Sequence, residues 1–474
     1  MTSATHIDLY QLTSMVEHHA GGLTDTPVVM SFFSRSLPKS PHDGAPVRAW
    51  LLWAGLQRCL DHLEQARFSE ADLDALQAHA ALGPPLRGMP DLVDRLRQWR
   101  FTGRIRAPRE GTLLLAGKAV RSDGSPLEID GVRPAAYCPY LEVETDLLSA
   151  KLIETPLLSF INHMTMVATK AAQVVRSARS LGDRAVLEFG QRRTHPEAAV
   201  DGALAAYIAG CAATSNVAAH VRHGVPMSGT MDHFAIQAWE RPGVPRWETE
   251  AAFFRSFSAR FAGVDVLLVD TYDTYGEKTG IRNAVRATDG GPYGIRIDSA
   301  ITSENLVRAR QLLDAEGATH TKIFVSGGMD EHSILALGDA PIDGYGVGER
   351  IVTSPDAPVG VGAVGKLAEV GGRPSMKLSR GSGKATLPGR LQVWRTNDGD
   401  RVGLAHEDHP GEPLLHEVWG PEGRLPSPTL GEVRAHALAS LDAWPEALHT
   451  PRQVELPVTD ALAAMIEGLV RSAS

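Results

Sequence analysis

Between Ala185 and Gly348 the sequence repeats one pattern, a short β-branched or apolar run that ends in small or polar residues. The runs are AVLEFG (185–190), VPMSGT (225–230), VDVLLVD (264–270), YGIRID (293–298), KIFVSGG (322–328) and IDGYGVG (342–348). Helical patterns lie between several of them. One is ENLVRARQLLDAEGA (304–318), with apolar residues at helical spacing on one face and Glu304 near its start. Strands alternating with helices form βα units and a parallel sheet. The steps from Asp270 to Asp298 and from Asp298 to Ser326 are both 28 residues, close to one strand–helix repeat. A doubly wound sheet would carry its glycine-rich loop after one strand. Here at least five consecutive strand ends carry residues capable of chemistry. That favours an α/β barrel, in which every strand's C-terminal end faces one mouth.

The flanks read differently. Helical patterns at 51–65, 69–82 and 90–100 precede a turn-rich strand region, GTLLLAGKAVRSDGSPLEIDG (111–131). After Gly371 come the strand-like GRLQVWR (389–395) and RVGLAHE (401–407), then the helical GEVRAHALASLDAW (431–444). The expected division is an N-terminal α+β domain over 1–145, a catalytic barrel over 146–370, and a segment over 371–474 that returns to complete the first domain. A chain of 474 residues is too long for one ordinary core. Hydrophobic residues at 43% and charged residues at 22% suit a globular protein. The net charge of −9 argues against a nucleic-acid partner, which needs a basic surface. Three well-separated cysteines, Cys59, Cys138 and Cys211, give no disulfide or zinc spacing and suit a reducing cytoplasm. No signal peptide and no membrane span are expected.

The chemistry-bearing residues gather at the strand ends. Ser326-Gly327-Gly328 and Gly346-Val347-Gly348 are loops whose backbone N–H groups can approach a phosphate. In barrels a phosphate often sits on the loops after the last two strands. SRGSGKAT (379–386) imitates a P-loop, but Leu378 stands where the first glycine is required and Ala385 replaces the hydroxyl. Asp270, Asp273 and Asp298 are acids that can serve Mg²⁺, ribose hydroxyls or the cap of the next helix. Arg192 and Arg193 follow EFG. Arg296 lies two residues before Asp298 and therefore on the same side of its strand. It can pair with Asp298, and it can also hold a ligand carboxylate. His233 stands in a Ser228-Gly229-Thr230 loop among these anion sites. The histidines of HVRH (220–223) and HEDH (406–409) lack a third ligand and read as structural.

Taken in order, these residues match a family pattern. Its anchors are DLYQ (8–11), LIETPLLSFIN (152–162), EFGQRR (188–193), TSN (214–216), SGTMDH (228–233), DTYDT (270–274), RIDS (296–299), SGGMD (326–330) and KLS…K…PG (377–389). The chain resembles the nicotinate phosphoribosyltransferase family, and more distantly the nicotinamide enzyme of the same superfamily. The resemblance implies a type II phosphoribosyltransferase fold, an irregular α/β barrel plus an α+β domain formed from both termini. It implies nicotinate, phosphoribosyl pyrophosphate and ATP as substrates, Mg²⁺ as cofactor, and a cytoplasmic homodimer with shared active sites. His233 would be phosphorylated by ATP, with Ser228 and Thr230 cradling that phosphate. Phe189, and Tyr10 from the other subunit, would sandwich the pyridine ring. Arg296 would hold the carboxylate, Arg192 the diphosphate, and Asp298 the ribose or base. Ser326, Gly327, Gly328, Gly346 and Gly348 would bind the 5′-phosphate, and Asp270 and Asp273 the metal.

The chain departs from the family pattern at three places in these motifs. Ala300 stands where the family has glycine, Glu349 where it has threonine, and Asp232 where a small residue precedes the histidine. Glu349 is expected to turn away from a bound phosphate and pair with Arg350 or another cation. The alternatives are a paralogous transferase acting on another aromatic acid and a non-catalytic binding protein on the same fold.

Overall fold

The computed structural model describes residues 3–34, 37, 40, 47–288, 290–356, 362–443 and 454–473. Contacts divide the chain into two compact units, one of residues 1–166 with 356–474 and one of residues 167–355. The division falls inside a single 33-residue helix, Leu147–Arg179, which carries Pro156 in its interior.

The first unit is built from both ends of the chain. Its largest sheet has seven strands, in the order Arg373–Pro374, Ala363–Val370, Pro27–Ser34, Leu141–Asp146, Arg104–Ala107, His416–Gly420 and Gly423–Arg424. Ala363–Val370, grouped with the barrel in the sequence division, pairs antiparallel with Pro27–Ser34, Val28 opposite Val370. A second sheet joins Trp50–Leu52 and Ala135–Tyr137 to Leu113–Val120, and Val454–Pro457 adds to that strand in parallel. Phe33 and Tyr137 stack at 3.6 Å in the core of this unit, where Trp50, Trp53 and Phe32 are also fully buried. The helix foreseen near the C-terminus runs from Leu430 to Ala443; Trp444 lies outside the described residues.

The second unit holds the expected parallel sheet. Its strands are β1 (Ala185–Glu188), β2 (Ala213–Thr214), β3 (Val266–Leu268), β4 (Gly294–Ile297), β5 (Lys322–Ser326) and β6 (Gly344–Val347). Their order is β2-β1-β6-β5-β4-β3, all parallel. Val186, Leu267, Ile295, Ile323, Val325, Tyr345 and Val347 are buried and by register share one face, and Leu268, in register with Arg296, is buried on the other, as a sheet covered on both faces requires. The connecting helices start where capping side chains allow. Thr302 accepts from Asn305 N at 3.2 Å before Ser303–Ala315, and Asp330 and Ser333 form a capping box before Glu331–Leu337. Among the described residues no helix is long and apolar enough to cross a membrane.

One expected strand is absent. VPMSGT makes only an isolated parallel bridge, Met227 to Thr214. Pro226 has no N–H to give a ladder, and Gly224 ends the preceding helix with φ +71°. The segment instead spans the gap between the two edge strands. Thr214 N donates to Pro226 O (2.9 Å) and Ser228 N to Thr214 O (2.8 Å) on the β2 side. On the β3 side, Thr230 Oγ1 donates to Val266 O at 2.7 Å and Leu268 N lies 3.4 Å from Met231 Sδ. The ring is thus closed by one bridge with two backbone hydrogen bonds on one flank and by side chains on the other.

Candidate active site

The parallel register sets residues of neighbouring strands side by side. Arg296 is in register with Phe324, and Phe324 with Gly344. Two residues further along β4, Asp298 stands beside Ser326, whose Oγ donates to Asp298 Oδ1. Ser326 is in turn in register with Gly346, and Gly346 with Leu187. Because side chains alternate along a strand, these two layers face the same side. The polar layer lies towards the C-terminal ends of the strands, where barrel chemistry is done.

His233 enters this mouth from the closing segment. It is the first residue of a one-turn helix, His233–Gln237, whose cap Asp232 accepts from Ala235 N at 2.9 Å. Asp232, a departure from the family pattern, therefore holds the turn that presents His233. The imidazole Nδ1 is 3.1 Å from Thr271 Oγ1, and Nε2 is 3.9 Å from Asp270 Oδ1. The histidine side chain is 41% exposed and the Asp270 side chain only 2%. Asp270 Oδ2 accepts from Asp298 N (3.0 Å) and Ser299 Oγ (2.6 Å), while the buried Oδ1 has no hydrogen-bond partner among the described residues.

This donor set bears on the metal expected from the sequence. Asp270 has one oxygen filled by two donors and the other turned towards His233, so it fits the support of an imidazole better than an open ligand position. Asp273 is exposed, with Oδ1 taken by Tyr275 N at 3.0 Å, and retains the capacity to share a cation with a substrate phosphate. Among the described residues no group of three or more His, Cys, Asp or Glu could hold a metal ion.

Arg296 is half-buried. One Nη donates to Met231 O at 2.7 Å, and the buried Nε has no partner among the described residues. Burial lowers its guanidinium pKa, against the opposing pull of Asp298 and Asp270, and the nearby charge of Arg192 lowers it further. Arg192 itself is exposed. Glu349 pairs with Arg193, Oε2 to Nη1 at 3.7 Å, and not with its neighbour Arg350.

The glycines divide into two kinds. Gly327 and Gly328 have φ of +98° and +71°, and a Cβ on Gly327 would meet Asp298 O at 2.2 Å, so this turn after β5 requires glycine. Gly346 lies inside β6, where a Cβ would meet the Phe189 ring at 2.5 Å, and a Cβ on Gly348 would meet Phe189 O at 2.7 Å. Those two glycines seat Phe189 at the mouth. Beneath the same turn, Glu188 is buried and accepts from Thr214 Oγ1 (2.5 Å) and Gly190 N; burial raises its pKa.

Tyr10 belongs to the first unit. It is 55% exposed, and Lys151 Nζ lies 5.9 Å from its ring centroid. Lys151 also lines a cavity of about 350 Å³ together with His18, Glu154, Lys366 and Lys377. Lys366 Nζ is 3.7 Å from Glu154 Oε1, which leaves three lysines to one carboxylate, and burial lowers the Lys151 pKa. Sequence reading overlooked Thr271, the lysines of this cavity and Phe324. Only the DT pair closing the run at Asp270 hinted at Thr271. Lys377 stands in the KLS motif, but Lys151 and Lys366 are more than 200 residues apart and carry no local signal.

The comparisons with known proteins agree along most of the chain. Residues 5–162 match the family model of the nicotinate phosphoribosyltransferase (NAPRTase) N-terminal domain. The Mycobacterium tuberculosis nicotinate phosphoribosyltransferase pncB2 is 34% identical over 470 residues, covering 94% of this chain and 89% of that protein. Its counterpart pncB1 from the same organism is 38% identical over 388 residues, covering 82% and 77%. The crystal structure of human nicotinic acid phosphoribosyltransferase aligns with a TM-score of 0.74 at 24% identity, covering 98% of this chain and 99% of that one. At that identity the alignment shows a common fold.

Proposed function

The chain belongs to the nicotinate phosphoribosyltransferase family, and from that premise we propose that it joins nicotinate to the ribose of phosphoribosyl pyrophosphate, coupled to ATP through phosphorylation of His233. The observation that carries the proposal is the placement of His233 at the barrel mouth, with the unpartnered, buried Asp270 Oδ1 3.9 Å from its Nε2. A small turn of the imidazole lets Asp270 accept the Nε2 proton, which leaves the Nδ1 lone pair as the nucleophile. The Nδ1–P bond forms as the bond from the γ-phosphorus to the bridging oxygen breaks, and ADP leaves with that electron pair. Thr271, whose Oγ1 is 3.1 Å from His233 Nδ1, and Ser228 supply hydroxyls to the phosphate it carries, whereas the Thr230 hydroxyl is already donated to Val266 O.

The transfer step divides its charges across the same mouth. Phe189 offers a half-buried ring face to the pyridine, and Arg296 offers its unpaired Nε to the carboxylate. The pyridine nitrogen then attacks the anomeric carbon, and the bond to pyrophosphate breaks. Positive charge develops on the ribose, next to Asp298. Negative charge develops on pyrophosphate, within reach of Arg192, and such preorganised charges act most strongly in a site closed to water. The Ser326-Gly327-Gly328 turn offers backbone N–H groups to the 5′-phosphate. Asp273 is the carboxylate that would share a magnesium ion with the substrate phosphates, where the ion would offset their charge.

Nicotinate is favoured over another aromatic acid because the departures leave the site's backbone and charges in order. Ala300 adopts φ +49°, the left-handed conformation for which glycine is the usual choice, so the turn after Asp298 is kept. The charge of Glu349 is met by Arg193. A homodimer in which Tyr10 of one subunit covers the ring bound by the other is supported by two features. Tyr10 sits exposed beside a lysine-lined cavity suited to anions. Val217, Val221, Met227 and Phe234, each more than half exposed, flank His233 in the sequence.

The phosphoenzyme gives the test. Incubation with γ-labelled ATP should yield an acid-labile, base-stable label that His233→Ala abolishes. Label persisting in the variant would overturn the assignment of His233.

A further inference from the structure

Phe324 is the aromatic side chain in the layer that contains Arg296 and Leu268. On β5 its neighbours Ile323 and Val325 are wholly buried on the opposite face, whereas Phe324 is half-buried and looks into the ring. The strands on both sides carry glycine against it. A Cβ on Gly294 of β4 would meet Phe324 Cε2 at 2.9 Å, and a Cβ on Gly344 of β6 would meet Cδ1 and Cε1 at 3.0 Å. Contacts that short are repulsive, so the ring lies where side chains of the two neighbouring strands would otherwise stand. Gly294 is two residues before Arg296, so the ring extends below the arginine, away from the mouth.

We propose that Phe324 is the floor of the acceptor pocket and restricts the acceptor to monocyclic aromatic acids unsubstituted on the ring edge farthest from the ring nitrogen. This rests on the reading that Arg296 holds the acceptor's carboxylate. With the carboxylate at Arg296 and the reacting nitrogen turned towards the mouth, the C4–C5 edge of a pyridine-3-carboxylate points down at Phe324. A hydrogen fits there. A methyl or phenyl group at C5 meets a ring that Gly294 and Gly344 flank closely from both sides. The two glycines give the floor its position and the phenyl ring gives it its extent.

The test compares nicotinate with 5-methylnicotinate and 5-phenylnicotinate in the full-length enzyme, as wild type, Phe324→Leu and Phe324→Ala. Two readouts are taken, kcat/KM for product formation and the dissociation constant of each acid by calorimetry. The expected result is a rise in the 5-phenylnicotinate to nicotinate ratio of about tenfold or more in Phe324→Ala, with Phe324→Leu between, as pocket-size changes commonly produce. Phe324→Leu keeps an apolar side chain in place and serves if the alanine variant unfolds. An unchanged ratio in both variants, with nicotinate still bound, would overturn the proposal. The binding readout keeps the two readings apart. If the wild type binds these acids but forms no nucleotide, the transferase reading fails while the floor is still measured.

Discussion

Glu250 makes stability depend on pH in a direction opposite to that of an ordinary paired carboxylate. It is fully buried on the helix Arg246–Arg260. Its Oε2 accepts from Gly280 N at 2.9 Å and Asn283 Nδ2 at 2.8 Å, which fastens the loop that carries Thr271 and Asp273. Oε1 has no partner among the described residues. Burial therefore raises its pKa from 4.5 to about 7; the charge of Asp273 adds to the rise and the two hydrogen bonds oppose it. Between those values the folded chain keeps a proton that the unfolded chain has released, so stability falls as pH climbs from about 4.5 to about 7 and stays lowered above. At about 1.4 kcal/mol per pH unit the loss reaches about 3 kcal/mol at pH 8. In Glu250→Gln the amide oxygen can replace Oε2 and keep both hydrogen bonds, and no charge remains to be desolvated. Part of the loss is already present at pH 5, so relative to wild type the variant should be about 2.5 kcal/mol better placed at pH 8 than at pH 5, or roughly 5 °C or more in Tm for a unit of this size. Calorimetry at the two pH values reads the difference directly. An offset that is the same at both would refute the reasoning and make Glu250 a hydrogen-bond acceptor alone.

The remaining predictions concern the mouth. Arg296→Lys keeps a charge but loses the planar fork, so KM for the acid should rise about ten- to a hundredfold, and an unchanged KM would place the carboxylate elsewhere. Glu349→Thr should change affinity for phosphoribosyl pyrophosphate by less than about tenfold, because an exposed pair such as Glu349–Arg193 is worth at most about 1 kcal/mol; a larger gain in a binding titration would mean that Glu349 repels the phosphate. Mixing inactive Tyr10→Ala with inactive His233→Ala should restore part of the activity by subunit exchange. No recovery after demonstrated exchange would mean that each site is built from one chain.

Much of the barrel was legible because parallel strands buried on both faces read as apolar runs, and β1, β3, β4, β5 and β6 each lie within such a run. The strand expected at 225–230 failed for a local reason, Pro226, and a global one, since the segment serves to close the ring. β2 is two residues long and leaves no periodicity to read. The partnership of Ala363–Val370 with Pro27–Ser34 joins positions more than 300 residues apart and is invisible to any local pattern. At the site, residue types were legible but their contacts were not. Asp270 reads as a metal ligand from its place at a strand end. Its burial, its two fixed donors and the free Oδ1 3.9 Å from His233 Nε2 are contacts that no local pattern shows. Phe324 reads as one more apolar strand residue until the glycines in register with it are seen.

The account is tested most directly by product formation. Purified protein would be incubated with phosphoribosyl pyrophosphate and Mg²⁺, with nicotinate or nicotinamide as acceptor and with or without ATP, and products separated chromatographically. The account predicts nicotinate mononucleotide and pyrophosphate in equal amounts, faster with ATP than without, and little or no product from nicotinamide. Folded protein that converts nicotinamide as readily as nicotinate, or that forms no mononucleotide under any of these conditions, would contradict it.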